Sequence, residues 1–113
     1  MSTAPATQSM VVEWAPFRLK PGVTEEHLVE VSARLQNEFL RRQRGFIRRE
    51  LLKGAQDEWV DLVYWTDEES AQAVMPAIAG STACRAYFDV MIGADPADPS
   101  GGVAHYRRVR AYP

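Results

Sequence analysis

The chain has very few of the residues that stabilise small proteins by forming disulfides or binding structural metals. Among its 113 residues there is one cysteine, Cys84, and there are two histidines, His27 and His105. A single cysteine cannot close a disulfide within the chain, so a disulfide-framed secreted module is excluded. One Cys and two His also fall short of a four-ligand zinc site, and we expect neither a metal nor a cofactor. A chain of this length can form one hydrophobic core without such staples.

The sequence also lacks a long apolar run. No segment approaches the roughly 18 apolar residues of a membrane span. Residues 1–9 have neither the basic start nor the apolar stretch of a signal peptide. We therefore expect a cytoplasmic protein without membrane contacts. Residues 1–9 are small and polar and predict a disordered lead, which leaves 10–113 as a single domain.

A strong excess of either charge is absent as well. The 13 Lys and Arg nearly balance the 15 Asp and Glu, and the formal net charge is −2. A nucleic-acid-binding domain needs a basic footprint that this balance does not supply. The segment 44–46 (RGF) imitates the start of an RNA-recognition signature, but the aromatics that should follow are missing. We expect no nucleic-acid partner.

Four segments are rich in the β-branched and aromatic residues that suit a pleated sheet. Because proline cannot donate to a strand ladder, Pro16 predicts that the first strand lies at an edge or carries a bulge. The predicted strands span 10–19, 46–52, 58–65 and 103–112.

Between the first two strands the sequence predicts a helix from 24 to 43. Thr24 can cap its N-terminus, and Gly45 suits the left-handed position just beyond its end. Apolar residues recur at spacings of three and four, which places them on one helical face. They are Leu28, Val31, Leu35 and Phe39.

A second helical region follows the third strand. Thr66 and Glu69 match the capping-box pattern that opens a helix, and Pro76 should end or kink that helix. Ser81 can cap a further helical piece that turns Cys84 inward. Since a nucleophilic cysteine needs a partnering base and none is visible, we interpret Cys84 as a core residue.

The resulting order of elements is β-α-β-β-α-β. Right-handed crossovers place both helices on one face of a four-stranded antiparallel sheet, which is the ferredoxin-like α+β fold. In the third strand Trp59, Val63 and Trp65 point to one face, while Val60 and Leu62 point to the other. A sheet that is apolar on both faces is expected to be covered on both. We predict that a second copy covers the open face, giving a homodimer.

Three short segments carry a resemblance to a known family. They are 17–22 (FRLKPG) after the first strand, 44–46 (RGF) before the second, and 64–71 (YWTDEESA) between the third strand and the next helix. With these segments the chain resembles the antibiotic-biosynthesis-monooxygenase-like domains of the dimeric α+β-barrel superfamily, over about residues 10–112. The resemblance implies that fold, a dimer, and activities that range from oxygenation to haem degradation.

The resemblance can be followed residue by residue. Trp65 is similar to the aromatic residue of the haem-degrading members, which also need a strand-one Asn and a His late in the second helix. The corresponding stretches here are 15–16 (AP) and 87–88 (YF), so we expect no haem chemistry. The resemblance also extends to quinone-forming oxygenases, which use no metal or flavin. Trp65 and Tyr64 are of the same residue types as aromatic residues of those enzymes, although the strand-one Asn is again absent.

We predict a small apolar pocket between the sheet and the helices. Asp61 or His105 is expected to handle a proton there, because a carboxylate in a cleft often has a perturbed pKa and histidine titrates near neutral pH. Four aromatic side chains are expected to bind the ligand. They are Trp65, Tyr64, Trp14 and Phe88.

Each of these residues also has a purely structural interpretation. Trp65 could serve only the core, and Asp61 could pair with an arginine of a neighbouring strand, a question that Glu13 and Glu50 raise equally. The leading hypothesis is a homodimeric, monooxygenase-like domain that binds a small organic, in particular aromatic, molecule and oxidises it without a cofactor. The alternative is a non-enzymatic dimeric module, either ligand-binding or structural, whose aromatic strands serve core and interface.

Overall fold

Four strands form one antiparallel sheet. The computed structural model describes residues 9–113, so the predicted lead lies outside the described residues except for Ser9. The strands are β1 (Val11–Arg18), β2 (Phe46–Lys53), β3 (Glu58–Trp65) and β4 (Ala104–Arg107). Their order across the sheet is β2-β3-β1-β4, and all neighbours are antiparallel.

Strand β4 is much shorter than the predicted strand 103–112. It pairs with β1 only from Val11 to Trp14. Because β1 begins at Val11, the pairing continues past Arg107 only as one backbone hydrogen bond, from the N–H of Arg108 to the carbonyl oxygen of Met10 at 2.8 Å. The prediction that Pro16 lies in an edge strand is wrong for the sheet as a whole, since β1 lies between β3 and β4. Strand β4 does not extend as far as Pro16, however, so this part of β1 is an edge on that side.

The first helix, α1 (Glu25–Glu38), begins as predicted and ends earlier than predicted. The hydroxyl of Thr24 accepts the backbone N–H three residues further on, at 3.1 Å. Phe39 leaves the helical conformation with a φ of −132°, and a 3₁₀ turn (Leu40–Arg42) follows in place of the last predicted turn. Gly45 has a φ of +83°, which confirms the left-handed position before β2.

The second helical region consists of three short helices. They are α2 (Glu68–Ala73), α3 (Met75–Ile78) and α4 (Thr82–Asp89). The predicted capping box of Thr66 and Glu69 is wrong, because the carboxylate of Asp67 accepts from the backbone N–H of Ser70 at 2.7 Å and caps α2 instead. The interruption at Pro76, in the first turn of α3, and the cap of α4 by Ser81 are confirmed.

The helices cover one face of the sheet, and the core lies between the two layers. Side chains alternate along β3, so that Trp59, Asp61, Val63 and Trp65 are buried on this face. Leu28 of α1 is completely buried against them. This arrangement confirms the ferredoxin-like α+β fold.

The other face of the sheet carries apolar side chains that no described helix covers. Trp14 pairs with Leu62 of β3 and with Ala104 of β4, so the three share this face. Trp14 is 42% exposed and Tyr106 is 59% exposed. An exposed patch of large apolar side chains is typical of an interaction surface.

Among the described helices, none is both long enough and apolar enough to cross a membrane.

Candidate functional site

A cavity of about 150 Å³ lies between the sheet and the helices. Strands β1 and β3 provide one wall, in which Glu13 and Asp61 are the polar residues, and α1 and α4 provide others. Apolar side chains make up most of the lining, as in many small-molecule sites. An apolar cavity of about this size takes up a molecule as large as benzene. The predicted pocket therefore has a physical counterpart.

The connection from α4 to β4 borders one side of this cavity. Its ends are fixed, because the backbone N–H of Ile92 donates to the carbonyl oxygen of Arg18 at 2.9 Å, and β4 pairs with β1. Gly93 and Gly102 have φ angles of +73° and +75°, a region that glycine adopts without steric cost. The segment 94–101 between these two glycines contributes exposed residues to the cavity rim.

Trp65 lies at the end of β3 and is 1% exposed. In the sheet register it faces Val11 of β1 and Phe46 of β2. Its ring meets that of Phe46 edge to face, with centroids 5.9 Å apart, and its Nε1 donates to Oε1 of Glu13 at 3.2 Å. The indole is thus held in one orientation at the cavity wall.

Glu13 connects Trp65 to His105. It lies opposite His105 in the pairing of β1 with β4, and Nε2 of His105 is 3.2 Å from the same Oε1. Its other oxygen, Oε2, has no hydrogen-bond partner in the described part of the chain. Burial raises the pKa of Glu13 above its ordinary value of 4.5, and the hydrogen bonds from His105 and Trp65 offset this only in part. Glu13 is therefore a proton acceptor at the edge of an apolar space.

Asp61 has a different environment, in which both oxygens are occupied. Arg49 Nε donates to Oδ1 at 2.8 Å, and the Tyr87 hydroxyl donates to Oδ2 at 2.6 Å. Arg49 continues the network to the hydroxyl of Ser32 on α1, at 2.6 Å. Burial, with the Asp61 carboxylate beside it, raises the pKa of Tyr87 well above its usual value. This network favours the structural interpretation of Asp61, with Arg49 as the arginine partner.

The structure brings three of the six predicted site residues to the cavity wall. They are Trp65, Asp61 and Phe88. His105 is outside the lining and reaches the cavity only through Glu13. Tyr64 and Trp14 lie on the opposite face of the sheet, because residues of their parity in β3 and β1 point away from the helices. The expectation that these two aromatics line the cavity is therefore wrong.

Cys84 lies in the cavity wall and is 2% exposed. Burial raises the pKa of its thiol, which disfavours the reactive thiolate. The interpretation of Cys84 as a small core residue agrees with this environment.

The most informative site residue, Glu13, is not among the six predicted ones. Its signal in the sequence is the same as that of Asp61, a single carboxylate in an otherwise apolar strand. What the sequence does not contain is the sheet register, which places Glu13 opposite His105 and next to Trp65.

Acidic and histidine side chains do not gather into a metal site here. Among residues 9–113, no group of three or more His, Cys, Asp or Glu has the geometry to hold a metal ion.

The sequence comparisons and the structural comparison give different results. No family model and no curated protein matches the chain. Several solved structures do share its fold. A variant of SnoaB, a cofactor-independent oxygenase from Streptomyces nogalater, superposes with a TM-score of 0.69 at 18% identity, covering 93% of this chain and 98% of that one.

Two further structures are of candidate antibiotic biosynthesis monooxygenases. The protein from Bordetella bronchiseptica has a TM-score of 0.66 at 18% identity and covers 91% of this chain and 100% of its own. The protein from Chloroflexus aurantiacus has a TM-score of 0.65 at 14% identity, and the superposition covers 93% of this chain and 98% of the other. Over nearly its whole length, the chain has the fold of the antibiotic-biosynthesis-monooxygenase-like proteins that the sequence segments resembled.

Proposed function

We propose that the protein is a cofactor-independent oxygenase that binds a small aromatic molecule beside Trp65. The observation that carries this proposal is the largely apolar cavity at whose wall the Trp65 indole and the Glu13 carboxylate are joined by a hydrogen bond. The shared fold with a cofactor-independent oxygenase supports it.

The chemistry that suits this cavity begins with a phenolic substrate whose para position is free. Glu13 accepts the hydroxyl proton, because its raised pKa makes it a stronger base than an exposed carboxylate. The electron-rich phenolate then reduces O₂ and a C–O bond forms at the para carbon. Cleavage of the O–O bond releases water and leaves a quinone, so that C₆H₆O + O₂ gives C₆H₄O₂ + H₂O for phenol itself.

The side chains around the cavity have separate roles in this proposal. Trp65 provides the flat wall on which the ring stacks. His105, whose side chain is 18% exposed, passes protons between Glu13 and solvent. Asp61, whose oxygens accept from Arg49 and Tyr87, holds the wall of the cavity in place rather than reacting.

Oxygen consumption tests this function. Purified protein is incubated with phenols that have a free para position, and O₂ uptake is followed together with quinone absorbance. We expect equal amounts of O₂ consumed and quinone formed, and a loss of at least about tenfold in Trp65→Phe, because the hydrogen bond to Glu13 disappears with the indole N–H. Trp14→Phe on the other face is the matched control and should retain activity. Uptake that Trp65→Phe leaves unchanged would remove this site assignment.

A non-enzymatic role is the second candidate, and the Asp61 network favours it. That network satisfies both oxygens of a buried carboxylate, as expected of a structural group. A binding module would take up the same aromatic ligands without consuming O₂. Measuring ligand binding and O₂ uptake on the same preparation separates the two candidates.

We also infer that the working unit is a homodimer. The support is the uncovered apolar face that includes Trp14, Leu62 and Tyr106, together with the commonness of two-fold assemblies. Two such sheets packed face to face would bury these side chains and leave the two cavities on the outer sides.

A further inference from the structure

We propose that the cavity selects single-ring phenols without negative charge and favours those that carry an amine. This substrate class rests on the proposed binding of an aromatic ligand beside Trp65. It follows from the charges at the cavity, from its size and from the free oxygen of Glu13.

The charges that line the cavity are all of one sign. Four carboxylates contribute to the lining, and in the described part of the chain no Lys, Arg or His does. The four are Glu13, Asp61, Asp95 and Asp98. A ligand with a carboxylate or phosphate group would find no cation in this lining to pair with.

Only one of these carboxylates is neutralised by a partner of full opposite charge. Asp61 pairs with Arg49 inside the core. Asp95 and Asp98, which together we name the acidic rim, make no salt bridge with any described residue. Asp95 accepts from the backbone N–H of Ala97 at 2.9 Å, and Asp98 accepts from the hydroxyl of Ser100 at 3.4 Å. Neither bond brings a positive charge, and both residues are exposed at the cavity lining.

The size of the cavity and the position of Glu13 define the rest of the ligand. About 150 Å³ is the volume of an apolar cavity that takes up benzene, so it accommodates one aromatic ring. Because Oε1 of Glu13 already accepts from Trp65, Oε2 is left for a donor on the ligand. In this proposal the phenol hydroxyl binds there and the opposite end of the ring points towards the opening, where the acidic rim would attract an ammonium group and repel a carboxylate.

Three probes of similar shape separate these effects. They are 4-ethylphenol, which is neutral, tyramine, which is cationic, and 4-hydroxyphenylacetate, which is anionic at pH 7.5. Their para positions are blocked, so binding can be measured by calorimetry without turnover. We expect tyramine to bind at least as tightly as 4-ethylphenol and the anion to bind at least about tenfold more weakly than either, because the two unpaired carboxylates of the acidic rim attract a cation and repel an anion. The ratio of tyramine to anion affinity should shrink in high salt.

A double variant tests whether the acidic rim causes the selection. Asp95→Asn with Asp98→Asn keeps the side-chain oxygens that accept hydrogen bonds within the loop and removes both charges. We expect the affinity ratio of tyramine to 4-hydroxyphenylacetate to fall by about tenfold or more, while 4-ethylphenol binds as before. Asp89→Asn, an exposed position outside the cavity, is the control and should leave the ratio unchanged.

The hydroxyl contact has its own probe. Replacing 4-ethylphenol by 4-ethylanisole removes the donor, and we expect a loss of about tenfold in affinity. Glu13→Gln should abolish most of the difference between these two probes.

The outcomes distinguish this proposal from the one on which it rests. If 4-hydroxyphenylacetate binds as tightly as tyramine, the charge selection is wrong and aromatic binding still stands. If none of the phenols binds, both proposals fall. If the phenols bind with the expected order and no O₂ is consumed with para-free phenols, the selection stands and the oxygenase function is wrong.

Discussion

Asp61 and Glu13 lie on the same face of the sheet, but they have different hydrogen-bond partners. We therefore expect the two carboxylates to affect the stability of the fold in different ways. Asp61 and Arg49 are almost completely enclosed, with side-chain exposures of 9% and 6%. A buried ion pair contributes little over a well-packed apolar pair, but removing one partner leaves the other charge unpaired in the core.

We therefore expect Asp61→Asn to lower the free energy of unfolding by about 3 kcal/mol. The cost arises because the guanidinium of Arg49 loses its counter-charge while it stays buried. Glu58→Gln, an exposed residue of the same strand that pairs with Arg18 at 3.5 Å, is the matched control. It should change the free energy of unfolding by about 0.5 kcal/mol or less. Urea unfolding of both variants measures the difference, and equal effects would contradict the buried role of Asp61.

Glu13 makes stability depend on pH in the opposite sense to a salt-bridged carboxylate. Its pKa is raised above 4.5 in the folded chain, chiefly by burial. The folded state thus holds this proton more tightly than the unfolded state, so the stabilisation is complete below about pH 4.5 and is lost as the pH rises through the folded pKa. The groups facing Glu13 are Trp65, His105 and Asp61.

The expected outcome is that Glu13→Gln becomes more stable relative to the parent protein as the pH rises from about 4 to 7, since glutamine carries no titrating proton. Thermal or urea unfolding of both proteins at a series of pH values gives the difference. A difference that does not vary with pH over this range would show that burial does not perturb Glu13.

At this scale the sequence predicted the kinds of residues and not their pairing. Trp65 and Asp61 could be predicted because an aromatic or a carboxylate inside an apolar strand can be recognised from the sequence alone. Phe88 could be predicted because it is an aromatic residue of a predicted helical segment, now α4. Tyr64 and Trp14 were assigned to the wrong face. Alternation along a strand shows which residues share a face, but not which of the two faces the helices cover. Arg49 was one of several strand arginines, and only the register against β3 selects it as the partner of Asp61.

At the scale of elements, the turn into β2 depends on Gly45. A Cβ at this position would overlap the Ser70 side chain of α2, and the Gly45 carbonyl accepts the backbone N–H of Thr66 at 2.8 Å. This glycine therefore joins the start of β2 to the start of the second helical region.

Substituting Gly45 by Ala should destabilise the protein more than the same change at Gly22. Both glycines have positive φ, +83° and +87°, so both substitutions carry the left-handed cost of about 1 to 2 kcal/mol. Gly22 has no atom within 4 Å of the added Cβ, and only Gly45 adds the overlap with Ser70. The difference between the two free energies of unfolding isolates this contact. Equal losses would mean that α2 moves aside without cost.

Helix boundaries show why local patterns predict elements better than their ends. The cap at Thr24 was correct because no competing group stands nearby. In T-D-E-E (residues 66–69), two residues could cap the helix, and the carboxylate of Asp67 replaced the predicted hydroxyl of Thr66. The predicted length of β4 is too great because the sequence after Arg107 is still suited to a strand, whereas its partner β1 begins only at Val11.

For the whole molecule, the fold followed from the order of the elements, and the assembly remains a prediction. The apolar parity of Val60 and Leu62 predicts from the sequence alone that the second face is covered, and in the single chain that face is open. The cavity, by contrast, could not be predicted in size or lining, because it depends on how α4 and the following connection pack on the sheet.

The dimer is tested by placing a charge at the centre of the open face. We expect Leu62→Glu to convert the protein to a monomer, because a carboxylate would be buried without a partner between the two sheets. Val29→Glu, on the exposed side of α1 with 52% exposure, is the control and should leave the mass unchanged. Sedimentation at micromolar concentration gives the masses. A monomeric parent protein would contradict the dimer outright.

The two glycines that bracket the segment 94–101 have a consequence for how such a protein can diversify. Backbone hydrogen bonds fix the chain before Gly93 and strand pairing fixes it after Gly102, so the residues between them can be exchanged without moving either anchor. Glu13 and Trp65 belong to the sheet and would stay where they are. For the proposed oxygenase, a library of loops spliced between these glycines would therefore alter which molecules are admitted while Glu13 and Trp65 stay constant, which makes this connection the place where we expect substrate range to be redesigned.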